Sequence, residues 1–216
     1  MKITKKLAAD LIFVLQICLA LISGGSQFLR LLTTSQGVNV SWLASWLTFL
    51  LINLALTIRA HRSRPSRVTL QTVLTYGAWS LVIAADLGAL LWMGRELWGL
   101  TDKVTVGMVG PGVALVCFWA WRRGLGLIDP MVNAGFAMCF IGLPQLTLAY
   151  KIFYVGGAGL AGAMLLAGHI GICTRLGQLY FAIKEAGWDR HRLAAALSEL
   201  ANETTWLLVT AAWLVG

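Results

Sequence analysis

The stretch MVNAGFAMCFIGLPQLTLAY, residues 131–150, holds no charged side chain and matches the roughly 20 residues that a helix needs to cross a bilayer. Deep within it, Gly142-Leu143-Pro144-Gln145 places a proline where it removes one backbone hydrogen bond. In a membrane helix neighbouring side chains satisfy the freed carbonyl, and the proline becomes a kink or hinge. Six further apolar runs accompany it, at 8–29, 41–58, 70–93, 105–121, 158–181 and 193–214. The polar segments between them are too short for a soluble domain. The chain therefore reads as an all-α membrane protein of seven transmembrane helices.

Composition agrees. Of 216 residues 58% are hydrophobic and 12% charged, whereas a soluble domain carries about 25% charged residues. Mean hydropathy is +0.77. The first run follows Lys2, Lys5 and Lys6 as a signal peptide would, but its polar Asp10, Gln16, Ser23 and Gln27 mark a retained helix. The net charge of +8 is a question of placement. With loops numbered alternately, one side collects Lys2, Lys5, Lys6, Arg59, Arg62, Arg64, Arg67, Arg122, Arg123, Lys184, Arg190 and Arg192. The other has Arg30, Arg95, Lys103 and Lys151. Basic residues in short loops stay in the cytoplasm, so the N-terminus is expected inside and the C-terminus outside, in a bacterial inner (plasma) membrane. The basic face suits anionic lipid headgroups, and the charge is no nucleic-acid footprint.

The four cysteines, at 18, 117, 139 and 173, lie in apolar runs and read as small buried fillers. His61, His169 and His191 are too scattered for a metal site. Phosphate loops, His-Glu-x-x-His, Gly-x-Ser-x-Gly and Cys-x-x-Cys are absent from the sequence, so neither an enzyme nor a cofactor is expected.

An internal repeat emerges when Gln27, after Gly24-Gly25-Ser26, is set on Gln145. Runs 1–3 then align with runs 5–7, and the fourth is an unpaired linker. The expected units are a three-helix repeat at 1–93, a linker helix with its loops at 94–130, and a second repeat at 131–216. A polar turn follows each Gln: Gln36-Gly37-Val38-Asn39-Val40-Ser41 in one half, Gly156-Gly157-Ala158-Gly159 in the other.

With Pro144-Gln145 followed by Tyr150-Lys151, and a degenerate Ser26-Gln27 copy 118 residues earlier, the chain resembles the PQ-loop proteins. These include the SWEET and SemiSWEET sugar transporters, cystinosin-like exporters and the KDEL receptor. The resemblance implies a 3+1+3 plan and alternating access hinged at Gln27, Pro144 and Gln145. It also implies a pocket lined from the second and third helices of each repeat. Asn202, in Ala201-Asn202-Glu203-Thr204-Thr205, matches the substrate-contacting Asn of the family's third helix. Ile52-Asn53 and Gly168-His169 approximate its Gly-Asn pair. Two departures stand out: Leu56 and Ile172-Cys173 occupy places where sugar-transporting members carry Trp, and SWEET proteins are drawn with the N-terminus outside.

Polar groups inside spans are expensive and mark candidate sites. Glu199, Asn202, Glu203 and Trp206 follow i, i+3, i+4, i+7 spacing and so form one stripe. Two carboxylates one turn apart in low dielectric cannot both ionise cheaply, so Glu203, the deeper, and Glu199 are candidates for proton coupling, the rival reading being that one Glu pairs with Arg175. Trp42, Ser45, Trp46, Phe49 and Asn53 share a face; Trp42 reads as an interfacial anchor, and Trp46 and Asn53 as ligand contacts. Asp86 falls within two positions of the repeat partner of Asn202. His169 reads as a proton relay or as a neutral imidazole bonded to a neighbouring helix. The expected activity is passage of a small polar solute around Trp46, Asn53, Asp86, His169, Asn202 and Trp206. The alternative is a non-transporting receptor or assembly subunit that binds a peptide or partner membrane protein, with homo-oligomers or lipid handling as further options.

Overall fold

The computed structural model describes residues 5–93 and 98–216. Lys2 and Arg95, two of the cations counted for orientation, lie outside the described residues. Seven helices follow in order: α1 Lys5–Thr33, α2 Val40–Ser63, α3 Arg67–Trp92, α4 Leu100–Arg122, α5 Pro130–Val155, α6 Gly162–Ala186 and α7 Arg190–Val215. Most extend beyond the apolar run that predicts them, because end residues continue the backbone hydrogen bonding, but α6 begins at Gly162, inside its run, and α3 stops at Trp92, one residue short of its run. Helices α1 to α5 are long and apolar enough to cross a membrane, as expected of a membrane-embedded bundle. The hydropathy of α6 and α7 falls short of this, and the reason is visible in their packing. Arg175 of α6 and Glu199 of α7 are turned inward against each other.

Local chemistry sets the helix starts. Ser66 caps α3 reciprocally: its hydroxyl accepts the Thr69 N–H at 3.2 Å, while Thr69 Oγ1 accepts the Ser66 N–H at 2.9 Å. Asp189 caps α7 by accepting the Arg192 N–H at 3.0 Å. Asp129 caps α5, with Pro130 in the first turn where its missing N–H costs nothing. Asp102, near the start of α4, accepts the Ser41 N–H at 2.8 Å and so ties α4 to the start of α2.

Among the described residues, α3 packs between α1 and α2, which do not touch each other, and α7 likewise separates α5 from α6. Across the middle, α1 meets α6 and α2 meets α5; α2 also meets α7, and α3 meets α6. Exchanging α1, α2, α3 with α5, α6, α7 leaves this set of contacts unchanged. Helix α4 stands outside it, against α5 and the edge of α2. The α1–α2 and α5–α6 turns meet each other, with the Gly159 N–H donating to Gln36 O at 2.7 Å. Gly37 and Gly156 both take φ of 83° there, and a Cβ on Gly37 would lie 2.4 Å from Gly156 O.

The cysteines differ from expectation. Cys18 and Cys173 are exposed on the bundle surface and Cys117 and Cys139 half-exposed, since a small apolar side chain serves as well facing lipid as facing a helix. Trp92, Trp98, Trp119, Trp121 and Trp188 are exposed and Trp213 is partly buried, whereas Trp42, Trp46, Trp79 and Trp206 lie in the core. Trp42 is thus no interfacial anchor. It is fully buried and stacked on Trp206, with ring centroids 6.1 Å apart and planes at 10°.

Candidate functional site

The centre of the bundle is a buried polar network braced by four indoles. Glu199, 0% exposed, receives Arg175 Nε at 2.8 Å and Nη2 at 3.2 Å, a fork on both carboxylate oxygens. The Tyr76 hydroxyl donates to Glu199 Oε1 at 2.8 Å, and Asn202 Nδ2 donates to Oε2 at 3.2 Å. The network continues through Asn202 Oδ1, which accepts Gln145 Nε2 at 2.9 Å, and the Thr205 hydroxyl, which donates to Gln145 Oε1. Four helices, α3, α5, α6 and α7, thereby converge on one carboxylate and its ligands.

Position comes from the backbone of α6. A Cβ on Gly168 would stand 2.5 Å from Trp206 Nε1, and one on Gly171 would stand 3.0 Å from the Trp79 ring. These glycines let two indoles lie directly on the helix. Trp206 Nε1 donates to Leu165 O at 3.2 Å. Trp79 receives the Arg175 guanidinium over its face at 5.0 Å and donates its own N–H to Gln16 Oε1 at 2.8 Å. Gln16 in turn donates to Gly171 O at 2.5 Å. The guanidinium is thus fixed from two sides.

Of the residues predicted for the site, Trp46, Asn53, Asp86, Asn202 and Trp206 are all buried in the bundle. Asn53 accepts the Ser198 hydroxyl at 2.8 Å. Glu199 is the carboxylate that pairs with Arg175. Glu203 leaves the stripe for the flank facing α6, where His169 Nδ1 meets its Oε1 at 2.7 Å and His169 Nε2 meets the Thr210 hydroxyl at 2.8 Å. His169 and Glu203 are 21% and 23% exposed, so Glu203 is further along α7 but less buried than Glu199. The cause is helical phase. At 100° per residue, position 203 lies about 40° around the helix from 199 and about 100° from 202, at the edge of the stripe on the α6 side.

The three hinge candidates separate. Gln27 bridges to the other half of the chain, donating to Gly159 O at 2.9 Å and accepting the Ala161 N–H at 3.0 Å. Gln145 is part of the central network, and α5 continues as helix through Pro144, whose carbonyl accepts the Thr147 hydroxyl. Tyr76 and Trp79 had no place in the sequence-based expectation, and Gln16 entered it only as a mark of a retained helix, whereas the pairing of one Glu with Arg175 is the rival reading given there. A signal for Tyr76 existed: it stands ten residues after the cap Ser66, as Glu199 stands ten after the cap Asp189. Matching caps instead of glutamines also puts Trp79, not Asp86, opposite Asn202. Two cavities lie apart from the network. One of about 390 Å³ separates α4 from α5 near Met108 and Tyr150, and one of about 570 Å³ opens beside Arg30 and Trp213.

No family model, curated protein or solved structure matches the chain.

Proposed function

We propose that the chain is a seven-span carrier in which two three-helix repeats, joined by α4, rock against each other to pass a small polar solute through the bundle centre. The observation that supports this most directly is the exchange-symmetric packing of α1, α2, α3 and α5, α6, α7, because repeat-built transporters bind substrate where their halves meet. The seam between halves is polar at mid-depth and tied lightly at its ends. One end is held by Gln27 and Gln36. The other is held by Arg64 Nη1 on Ala186 O at 2.7 Å and Arg192 Nη2 on Ala60 O at 3.3 Å. Opening the seam would release these end ties and separate the indoles packed across its middle, while each repeat keeps its own helix contacts.

In this reading the N-terminus is cytoplasmic, in a bacterial inner membrane, and a proton travels on Glu203 with His169, or on Asp86. Uptake into proteoliposomes, screened first by ligand-dependent thermal shift, tests the carrier reading. Cross-linking a Gln27→Cys/Ala161→Cys pair should stop that flux. Stoichiometric co-purification of another membrane subunit, with no solute flux, would instead favour the assembly-subunit alternative. Flux that stays independent of pH in wild type, Glu203→Gln and Asp86→Asn would remove proton coupling, and a reporter on the C-terminus reads orientation.

A further inference from the structure

Among the described residues, five charged side chains are fully buried: Asp86, Asp102, Arg175, Arg192 and Glu199. Arg175 is forked on Glu199 and Arg192 is paired with Asp189. Asp102 caps α4 and the start of α2. Asp86 alone has nothing. Both its oxygens are buried with no hydrogen-bond partner, and it takes part in no ion pair. Burying a carboxylate in this way costs several kcal/mol unless a cation or proton meets it. Arg175 is already committed to Glu199 and is not available to Asp86.

Two other orphans lie at the same level. Trp42 Nε1 and Trp46 Nε1 are buried donors without an acceptor. The antiparallel α2–α3 pair is registered by His61 Nδ1 on Thr69 Oγ1 at 2.7 Å. Asp86 is seventeen residues beyond Thr69, as Ala44 is seventeen before His61, so equal rise per residue sets Asp86 level with Ala44, between Trp42 and Trp46. Three indole rings crowd this level: Trp46 is 5.3 Å from Trp42 and 5.7 Å from Trp206, centroid to centroid. Donors that lack an acceptor and a carboxylate that lacks a cation do not satisfy one another here.

We propose that the ligand of the central site is a small organic monocation bearing an oxygen acceptor, of the hydroxyalkyl-ammonium type. This rests on the carrier reading above. The Asp86 carboxylate supplies the counter-charge, the faces of Trp42, Trp46 and Trp206 supply cation–π attraction, and the two indole N–H groups donate to the oxygen. Net charge selects against zwitterions and neutral solutes, which leave Asp86 uncompensated. The rings close on one another in this structure, so entry accompanies separation of the repeats.

The test uses the purified full chain in nanodiscs, with choline, tetramethylammonium and the uncharged isostere 3,3-dimethylbutanol as probes, read by tryptophan fluorescence and thermal shift. Choline is expected to bind at least tenfold more tightly than the isostere, and Asp86→Asn to weaken choline at least tenfold. Trp46→Phe keeps a ring but loses the N–H. It should weaken choline by a larger factor than tetramethylammonium, which has no oxygen and loses only the difference in cation–π strength between the two rings, a pattern that misfolding would not produce. Equal binding of choline and its isostere overturns the proposal, as does undiminished choline binding by a folded Asp86→Asn variant. If none of the cations binds while a neutral or anionic solute binds and is transported, the cation assignment fails and the carrier reading stands. If no solute binds or moves at all, both fail.

Discussion

Tyr76 and Glu199 are joined by a 2.8 Å hydrogen bond and hold the same place in matching helices, each ten residues beyond a cap that fixes the helix start. The pair one residue nearer the caps repeats the relation. Thr75 and Ser198 each stand nine residues past their caps, and each bonds a helix of the other half, Thr75 to Gln178 and Ser198 to Asn53. If the halves are related as proposed, equivalent positions that face each other lie close to the axis between them. The Arg175–Glu199 pair is therefore an asymmetric insertion at a nearly symmetric point.

Removing one member of that pair should be severe. Glu199→Gln leaves the Arg175 guanidinium buried without its counter-charge, a change that typically costs about 3–5 kcal/mol. Arg175→Met together with Glu199→Gln should recover much of the loss, since no bare charge then remains. Tyr76→Phe deletes one bond to a charged acceptor and should cost about 1.5–3 kcal/mol. By contrast Arg67–Asp10, with Arg67 70% exposed, should change stability by no more than about 1 kcal/mol. Thermal unfolding in one detergent ranks all four, and equal effects for the buried and exposed pairs would contradict the burial argument.

The glycines under the indoles make a second prediction. Gly168→Ala drives a Cβ to 2.5 Å from Trp206 Nε1, so the ring must shift and its bond to Leu165 O is lost. Overpacking of this kind costs about 1–3 kcal/mol. Gly171→Ala presses on Trp79 at 3.0 Å and should do less. Gly77→Ala meets nothing within 4 Å and should be neutral or stabilising by up to about 1 kcal/mol, from helix propensity alone. Near-ultraviolet circular dichroism should change for the first variant and not for the third.

These positions show what a linear reading can and cannot reach. The apolar runs anticipate seven helices, because length and period are local properties. Burial of Asn202 and Trp206 follows from the same periodicity. Trp42 is misread, since an aromatic near a helix end looks alike whether it faces headgroups or a partner ring such as Trp206. Glu203 is misplaced because a stripe defined by i+3 and i+4 spans a wide arc, and only the neighbour on α6 decides which edge is inside. Gln16 could not be ranked at all: its weight comes from Trp79 and Gly171, 63 and 155 residues away.

At the first turn of α7 a pH effect is expected. The His191 imidazole is pushed below its usual range by burial, and its Nδ1 has no partner. Asp189 and Asp129 act in the opposite direction, and Arg59 and Arg192 in the same one. The folded state thus binds this proton less readily than the unfolded chain. Stability from this site is full above the unfolded value of about 6.5 and declines as pH falls through it. His191→Gln should flatten that part of the stability profile between pH 7 and 5, measured as the midpoint of thermal unfolding. A wild-type profile that rises on acidification, and is flattened by the same substitution, would reverse the sign.

The Gln27 contacts predict where the seam yields. Its side chain satisfies a carbonyl at Gly159 and an amide at Ala161, and its neighbour segment adds the Gln36 side chain on Val155 O at 2.6 Å and the Arg30 side chain on Ala158 O. Gln27→Leu keeps the volume and deletes two bonds, leaving a buried amide and carbonyl without partners at about 1–3 kcal/mol each. The loss should appear as faster hydrogen exchange at 158–162, with the amides of α3 and α7 beside Tyr76 and Glu199 unchanged, because the central network does not pass through Gln27. Glu199→Gln should show the converse, with exchange rising in the middle of α3, α6 and α7 and holding at 158–162. If either substitution accelerates exchange at both places alike, the outer tie and the central ion pair form one cooperative unit, and opening the seam at one end without disturbing its middle is ruled out.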